Sequence, residues 1–326
     1  MKKRILTGLQ ATGSQLHIGN YFAAVKPMID ILKENDYESF IFVATMHSFT
    51  ELHESNKLKE YLRNLLKIYL ACGVDIENTY IYNHATIPGH SQLNRVLTCI
   101  SNLGTMQRMH VYKDAIQKGK AHDISVGTFC YPILMAADIL LYGADFVPVG
   151  QDQKQHIEFA RDIAIKFNST YGQTFVLPEA IIKKEVAIVP GIDGRKMSKS
   201  YNNYIGLLED EKIIFEKVRQ IFVNSKIIKE TKNPDSCNVY NILKLFLNEN
   251  DNYIIRKKYR EGNISYEYLK NFLYEKILNT LKPIQSFYNS ITDEQIDNII
   301  NKNQQKLIEI SNKKIKDVYK KIGFSF

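Results

Sequence analysis

Short continuous apolar runs, each followed by a stretch of helical period, fill about the first 190 residues. This alternation restricts the possible folds more than any other feature of the chain. Phe40-Ile41-Phe42-Val43-Ala44 is the clearest run. Five apolar residues without polar alternation suit a strand covered on both faces, as in a parallel sheet. Arg4 to Gly8 reads as an earlier strand ending at a glycine-bearing turn, and Tyr80-Ile81-Tyr82 and Asp145 to Gly150 as later ones. Helical spacing runs from Tyr21 to Lys33, from Leu58 to Ala71 with Gly73 as its stop, and from about Gln153 to Phe167. The expected architecture is α/β, a parallel sheet with helices on both faces.

From about Leu207 the pattern changes. Ile214, Val218, Ile221 and Phe222 share one helix face, and Ile315, Val318, Tyr319 and Ile322 share another. Pro234 and Pro283 punctuate this part, and no convincing strand is legible. The reading is a first domain over 1–205 and an all-helical second domain over 206–326. Residues 201–326 carry 21 Lys and Arg against 16 Asp and Glu, so this part holds +5 of the net +8. That tilt suits a polyanionic partner, and equally suits a solvated lysine-rich surface. No apolar run approaches the roughly 20 residues needed to span a membrane. The apolar stretch after Met1-Lys2-Lys3-Arg4 is too short for a signal-peptide core, so a soluble cytoplasmic protein is expected. Cys72, Cys99, Cys130 and Cys237 form no CxxC pair, which leaves no sequence case for a structural metal.

Ligands of open parallel sheets bind beyond the carboxyl ends of the strands, and four segments fall there. Gln10-Ala11-Thr12-Gly13 leads into His17-Ile18-Gly19-Asn20. Its glycines permit close backbone approach, and a helix start favours an anion. An ordinary βα turn fits the same residues. Val149-Gly150-Gln151-Asp152-Gln153 opens another helix, either as a nucleoside site or with Asp152 as a plain N-cap. Asp138 stands in an apolar helical run, Tyr131 to Leu141. A buried carboxylate there needs partners, either a ligand N–H or internal groups. Lys196-Met197-Ser198-Lys199-Ser200 follows Gly194-Arg195 and offers cations and hydroxyls to a polyphosphate, or is a basic hinge loop. No GxGxxG follows a strand, and no GxxxxGK[ST] occurs.

Taken together, these segments resemble the class I aminoacyl-tRNA synthetases. His17 to Asn20 is similar to the HIGH motif with Asn in last place, and 196–200 matches KMSKS letter for letter. The closer resemblance is to bacterial tryptophanyl-tRNA synthetases. It rests on Tyr131-Pro132 with Met135 to Leu140, and on Val147 to Glu158 with Arg161 to Ala164. It spans essentially the whole chain and is more specific in the first half. Ala11-Thr12, where the family often has Pro-Ser, and Gly191 to Gly194 before KMSKS are small departures.

The resemblance implies a Rossmann-like catalytic domain and a helical tRNA- and anticodon-binding domain. It implies a ligase that activates L-tryptophan with ATP and Mg2+ and then charges tRNA(Trp), acting as a homodimer. Carried over residue by residue, the catalytic group is Lys196, Ser198, Lys199 and His17. ATP would be held by Gln10, Ala11, Thr12, Gly19 and Asn20, by Gly150, Gln151 and Asp152, by Val189, and by Lys196, Met197, Ser198, Lys199 and Ser200. Asp138 would accept the indole N–H. Gln153 and Tyr131 would meet the amino group, and Leu6, His47, Met135, Val147 and Val149 would line the ring pocket.

Overall fold

The computed structural model describes residues 2–10, 15–33, 37–117, 119, 122–182, 189–223 and 233–324. Five strands form one sheet: β1 (Lys3–Leu9), β2 (Tyr37–Val43), β3 (Thr79–Asn83), β4 (Phe146–Pro148) and β5 (Glu179–Ile181). Their spatial order is β3-β2-β1-β4-β5, and every pairing is parallel. In β1–β2 the register sets Leu6 beside Phe40 and Leu9 beside Val43. The chain winds outward from β1 to β3 and then returns to β4. The order therefore reverses between β1 and β4, where a crevice opens at the carboxyl end of a doubly wound sheet.

The continuous apolar run became β2, whose last five residues are buried, as expected for a strand covered on both faces. Gly8 does not end a strand in a turn, as the sequence suggests; β1 runs on through Leu9. A Cβ at Gly8 would meet the Phe42 ring at 2.5 Å, so the glycine is there to admit that ring. β5 was not legible in the sequence. It has three residues, none fully buried, and pairs with β4 alone at the sheet edge.

Helix α1 begins at Ile18–Asn20, widens to π geometry over Tyr21–Val25 and continues through Lys26–Leu32. Then follow α2 (Ser55–Ala71), α3 (Gly89–Ile100), α4 (Val126–Leu141) and α5 (Lys154–Tyr171). After β5 every described regular element is helical: α6 (Glu211–Gln220), α7 (Asn238–Leu243), α8 (Glu249–Arg260), α9 (Tyr266–Ser290), α10 (Asp293–Lys302) and α11 (Gln304–Lys321), with short 3-10 turns between some of them. Gly73, with φ +100°, stops α2 as its position suggests.

The buried apolar side chains fall into three clusters. Helices α6 to α9 pack with Ile18, Phe22, Val189, Met197, Ile205 and Leu207. The last helix takes a different course: Leu307, Ile315 and Val318 of α11 join the core formed by the sheet, α3 and α4. Ile296 of α10 packs in a third cluster with Leu9, Val25, Ile41 and Leu65, so the C-terminal helices are divided among three apolar clusters. No described helix is long and apolar enough to cross a membrane.

Candidate functional site

A cavity of about 1120 Å³ fills the crevice between β1 and β4. Strand ends and the loops that follow them line it. One end is apolar, with Leu6, Phe42, Met135, Val147 and Val149. The other carries His17, Gly19 and Asn20 opposite Lys196, Met197 and Ser198.

The two phosphate-suited segments meet because Met197 is an apolar residue in a polar loop. It is 4% exposed and packs in the core that also holds Ile18. A Cβ at Gly19 would stand 2.8 Å from His17 Nδ1 and 3.3 Å from Met197 Sδ, so glycine is what lets imidazole and thioether share this corner. Backbone bonds fix the docking: Ile18 N to Ile205 O at 2.9 Å, Leu207 N to Leu16 O at 2.9 Å and Met197 N to Val189 O at 2.9 Å.

His17 caps α1 through a reciprocal pair. Its Nδ1 accepts from Asn20 N at 3.2 Å, and its own N donates to Asn20 Oδ1 at 3.1 Å. Burial, then the nearby Lys199 cation, pull its pKa down to about 4. At neutral pH the ring is therefore uncharged, and since Nδ1 accepts, the proton sits on Nε2. The site thus offers a neutral donor at the start of a helix.

Asn203 was not anticipated and organises the cationic loop. It is 2% exposed. Its Oδ1 accepts from Ser198 N at 2.8 Å, and its Nδ2 donates to Asp193 Oδ1 at 2.7 Å and Lys196 O at 3.1 Å. Gly191 lies so close that a Cβ would meet Asn203 Nδ2 at 2.3 Å. Gly194 takes the left-handed conformation, φ +86°. Asn203 lies just past the KMSKS run, and an isolated Asn carries no sequence signal for such a clasp. Lys199 and Ser200 do not line the cavity, and Tyr201 does. Lys199 is exposed, yet partial desolvation of its ammonium lowers its pKa.

Beyond β4, Gly150, Gln151, Asp152 and Gln153 all line the cavity. Asp152 is not the N-cap, because its carboxylate accepts from Gln153 Nε2 at 2.8 Å while Gly150 occupies the cap position. Gln10, Val189 and His47 also line the cavity, whereas Ala11 and Thr12 lie outside the described residues. Tyr131 lines it too, its hydroxyl 2.9 Å from His156 Nε2. Burial raises the Tyr131 pKa to about 12, so the phenol keeps its proton.

Asp138 is fully buried and is not itself a wall of the cavity. Its Oδ2 lies 2.8 Å from His47 Nε2; its Oδ1 lies 2.6 Å from His90 Nδ1 and 3.3 Å from His84 Nδ1. Burial alone would raise this carboxyl, but the neighbouring His84 and the hydrogen bonds from the three rings hold it well below the ordinary carboxylate range. His84 and His90 were invisible as site residues in the sequence because they are 54 and 48 positions from Asp138.

Comparison with known proteins places this geometry. The family model for class I tRNA synthetases (W and Y) matches residues 1–282. A tryptophan–tRNA ligase of Fusobacterium nucleatum is 40% identical over 98% of this chain and 98% of its own. The structure of tryptophanyl-tRNA synthetase from Campylobacter jejuni complexed with ADP and tryptophan superposes with a TM-score of 0.87 at 37% identity, covering 98% of this chain and 99% of that one. That from Mycoplasma pneumoniae gives 0.81 at 29% identity, covering 99% and 98%. With two motif loops clasped over one crevice and relatives matched over nearly their full length, the chain belongs to the class I tRNA synthetases, in the tryptophan–tRNA ligase family.

Proposed function

We propose that this cavity joins L-tryptophan to ATP, releasing pyrophosphate, and then passes the tryptophanyl group from the adenylate to the 3′-terminal adenosine of tRNA(Trp). The observation that carries this reading is the contact of Met197 with Gly19. It sets a cationic loop against a helix start on one cavity whose other end is apolar. The activity named for the relatives and the ADP and tryptophan named for the Campylobacter jejuni structure support it.

In the first step a carboxylate oxygen of tryptophan attacks the α-phosphorus, and the bond to pyrophosphate breaks in line. In the second a ribose hydroxyl of the tRNA attacks the carbonyl carbon, and AMP leaves. The protein forms no covalent bond in either step. Its work is positioning and stabilisation of charge on the phosphates. Neutral His17, the start of α1 at Gly19 and Asn20, and Lys196, Ser198 and Lys199 serve the triphosphate. Met197 packs the loop down, and Ser200 belongs to the same turn. Gln10, Gly150, Gln151, Asp152 and Val189 serve the nucleoside. Tyr131 and Gln153 meet the amino group, and the apolar end takes the ring. Asp138 accepts the indole N–H when His47 yields Oδ2.

ATP enters as its Mg2+ complex. Among the described residues on the cavity wall, Glu51 and Asp152 carry carboxylates, and Asp152 accepts from Gln153; the ion would come with the phosphates as part of the substrate. The helical part, 206–326, is the tRNA- and anticodon-binding part; its positive tilt favours a polyanion. Action in the cytoplasm as a homodimer completes the proposal. Pyrophosphate exchange run separately with tryptophan and tyrosine tests the central claim. Exchange with tryptophan is expected, and exchange with tyrosine alone overturns it.

A further inference from the structure

Three rings converge on one buried carboxylate, and the second nitrogen of His84 bears on what the cluster is for. His84 has both nitrogens engaged. Its Nε2 accepts from Met46 N at 2.8 Å, so the ring proton sits on Nδ1, which faces Asp138 Oδ1. Burial lowers the His84 pKa, in keeping with a neutral ring. His47, His84 and Asp138 have donor atoms close enough together to suggest a metal site. The tautomer argues against one. A metal on His84 Nδ1 would force the proton to Nε2, directly against the Met46 N–H.

The two carboxylate oxygens are not equivalent. Oδ1 faces His84 and His90, both 0% exposed and neither on the cavity wall. Oδ2 faces His47, which does line the cavity. Met46 and His47 lie in one short helix, Thr45–Ser48, so the bond from Met46 to His84 also ties that helix to Asp138. One oxygen is thus anchored from behind, and the other is reached from the cavity through a single side chain.

We infer that His84 and His90 are positioning residues that clamp Asp138 Oδ1, aiming the carboxylate so that only Oδ2 passes between His47 and the indole N–H of the substrate. The clamp rests on the reading of Asp138 as the indole acceptor. A rotating or protonated carboxyl would accept the N–H less well, and would tolerate a ligand without one. The clamp therefore sets discrimination rather than overall affinity, because leaving a buried acceptor unpaired is what penalises the wrong ligand. His84→Gln can keep both bonds, accepting from Met46 N and donating to Oδ1, whereas His84→Leu keeps neither.

The test compares kcat/KM in pyrophosphate exchange for tryptophan and for its analogue with sulfur in place of the indole nitrogen. Folding is checked by circular dichroism. His84→Leu is expected to shrink the ratio of the two at least about tenfold, and His84→Gln to hold it within about threefold. Asp138→Asn separates the two levels of the argument. If Asp138→Asn collapses the ratio while folded His84→Leu leaves it intact, the clamp is overturned and the acceptor stands. If Asp138→Asn leaves the ratio intact, the acceptor reading itself falls. Loss of the ratio in His84→Gln equal to that in His84→Leu also overturns the clamp, since ring volume would then be what matters. Should His84→Leu not fold, His90→Asn, which retains a donor, and His90→Leu repeat the comparison on the second ring.

Discussion

The two ends of the cavity are built on opposite plans. The phosphate end is made of loops. Lys196 and Lys199 are exposed, and the turn that carries them is held by Met197 and by the amide of Asn203. The amino-acid end is set on a helix. Asp138 sits fully buried in α4, with three rings on its two oxygens. On the proposed function, the difference follows from what each end does. Charge on a transferring phosphoryl group develops during the reaction, so cations that move into place raise the rate. Selection of a side chain depends on an acceptor that does not adjust, because an acceptor that moves will satisfy the wrong ligand.

This contrast breaks if the loop-built end governs binding or the helix-set end governs rate. The largest effect is expected from Lys199→Ala. Pyrophosphate-exchange kcat should fall roughly 10²–10³-fold with the tryptophan KM within about threefold. Equal losses in both would merge the two plans. Next comes Asn203→Ala, which frees Ser198 N and the Lys196 carbonyl together. A fall in kcat of roughly 10–100-fold is expected, with a rise in KM for ATP larger than that for tryptophan. An unchanged kcat would show that Met197 holds the loop alone. Gly19→Ala pushes a methyl group against His17 and Met197. It should cost about tenfold in kcat/KM for ATP while leaving tryptophan binding, followed by isothermal titration, unaltered.

The smallest effect concerns pH. Burial, followed by the charge of His110, lowers the His156 pKa to about 4, and His17 is lowered similarly. Both rings are neutral when folded and take up protons more readily when unfolded, with an ordinary value near 6.5. Their contribution is therefore complete above about pH 6.5 and is lost as pH falls from there towards 4. Tm should drop between pH 7.5 and pH 5. His156→Gln, which keeps a partner for Tyr131, should narrow that drop by roughly 2 °C. An identical drop in the variant would remove His156 from the account.

Much of this molecule was legible in its residues. The apolar run at 40–44, the helical stretches at 21–33, 58–71 and 153–167, and the KMSKS segment are local patterns, and each has a counterpart at nearly the expected place. Misreadings came where a neighbour in space decided. Gly8 looked like a turn residue and is a seat for Phe42. For Asp152 the residues left two readings open, a nucleoside site or a helix cap, and its carboxylate is engaged by Gln153 instead of capping. The edge strand Glu179–Ile181 exists because β4 offers it a partner.

Residue order by itself determined the period of each element, and hence a parallel sheet followed by helices. It also placed, as local motifs, the groups suited to phosphate and the lone acid in an apolar helix. Tertiary structure decided which of these groups meet. Met197 reaches Gly19 across 178 positions of sequence, His84 and His90 reach Asp138 from another helix and turn, and α11 returns to the sheet core. A hydrogen bond or a packed ring depends on distances of a few ångströms that no periodicity records. The chain therefore carries its reagents openly, while the fold alone sets their order and restraint.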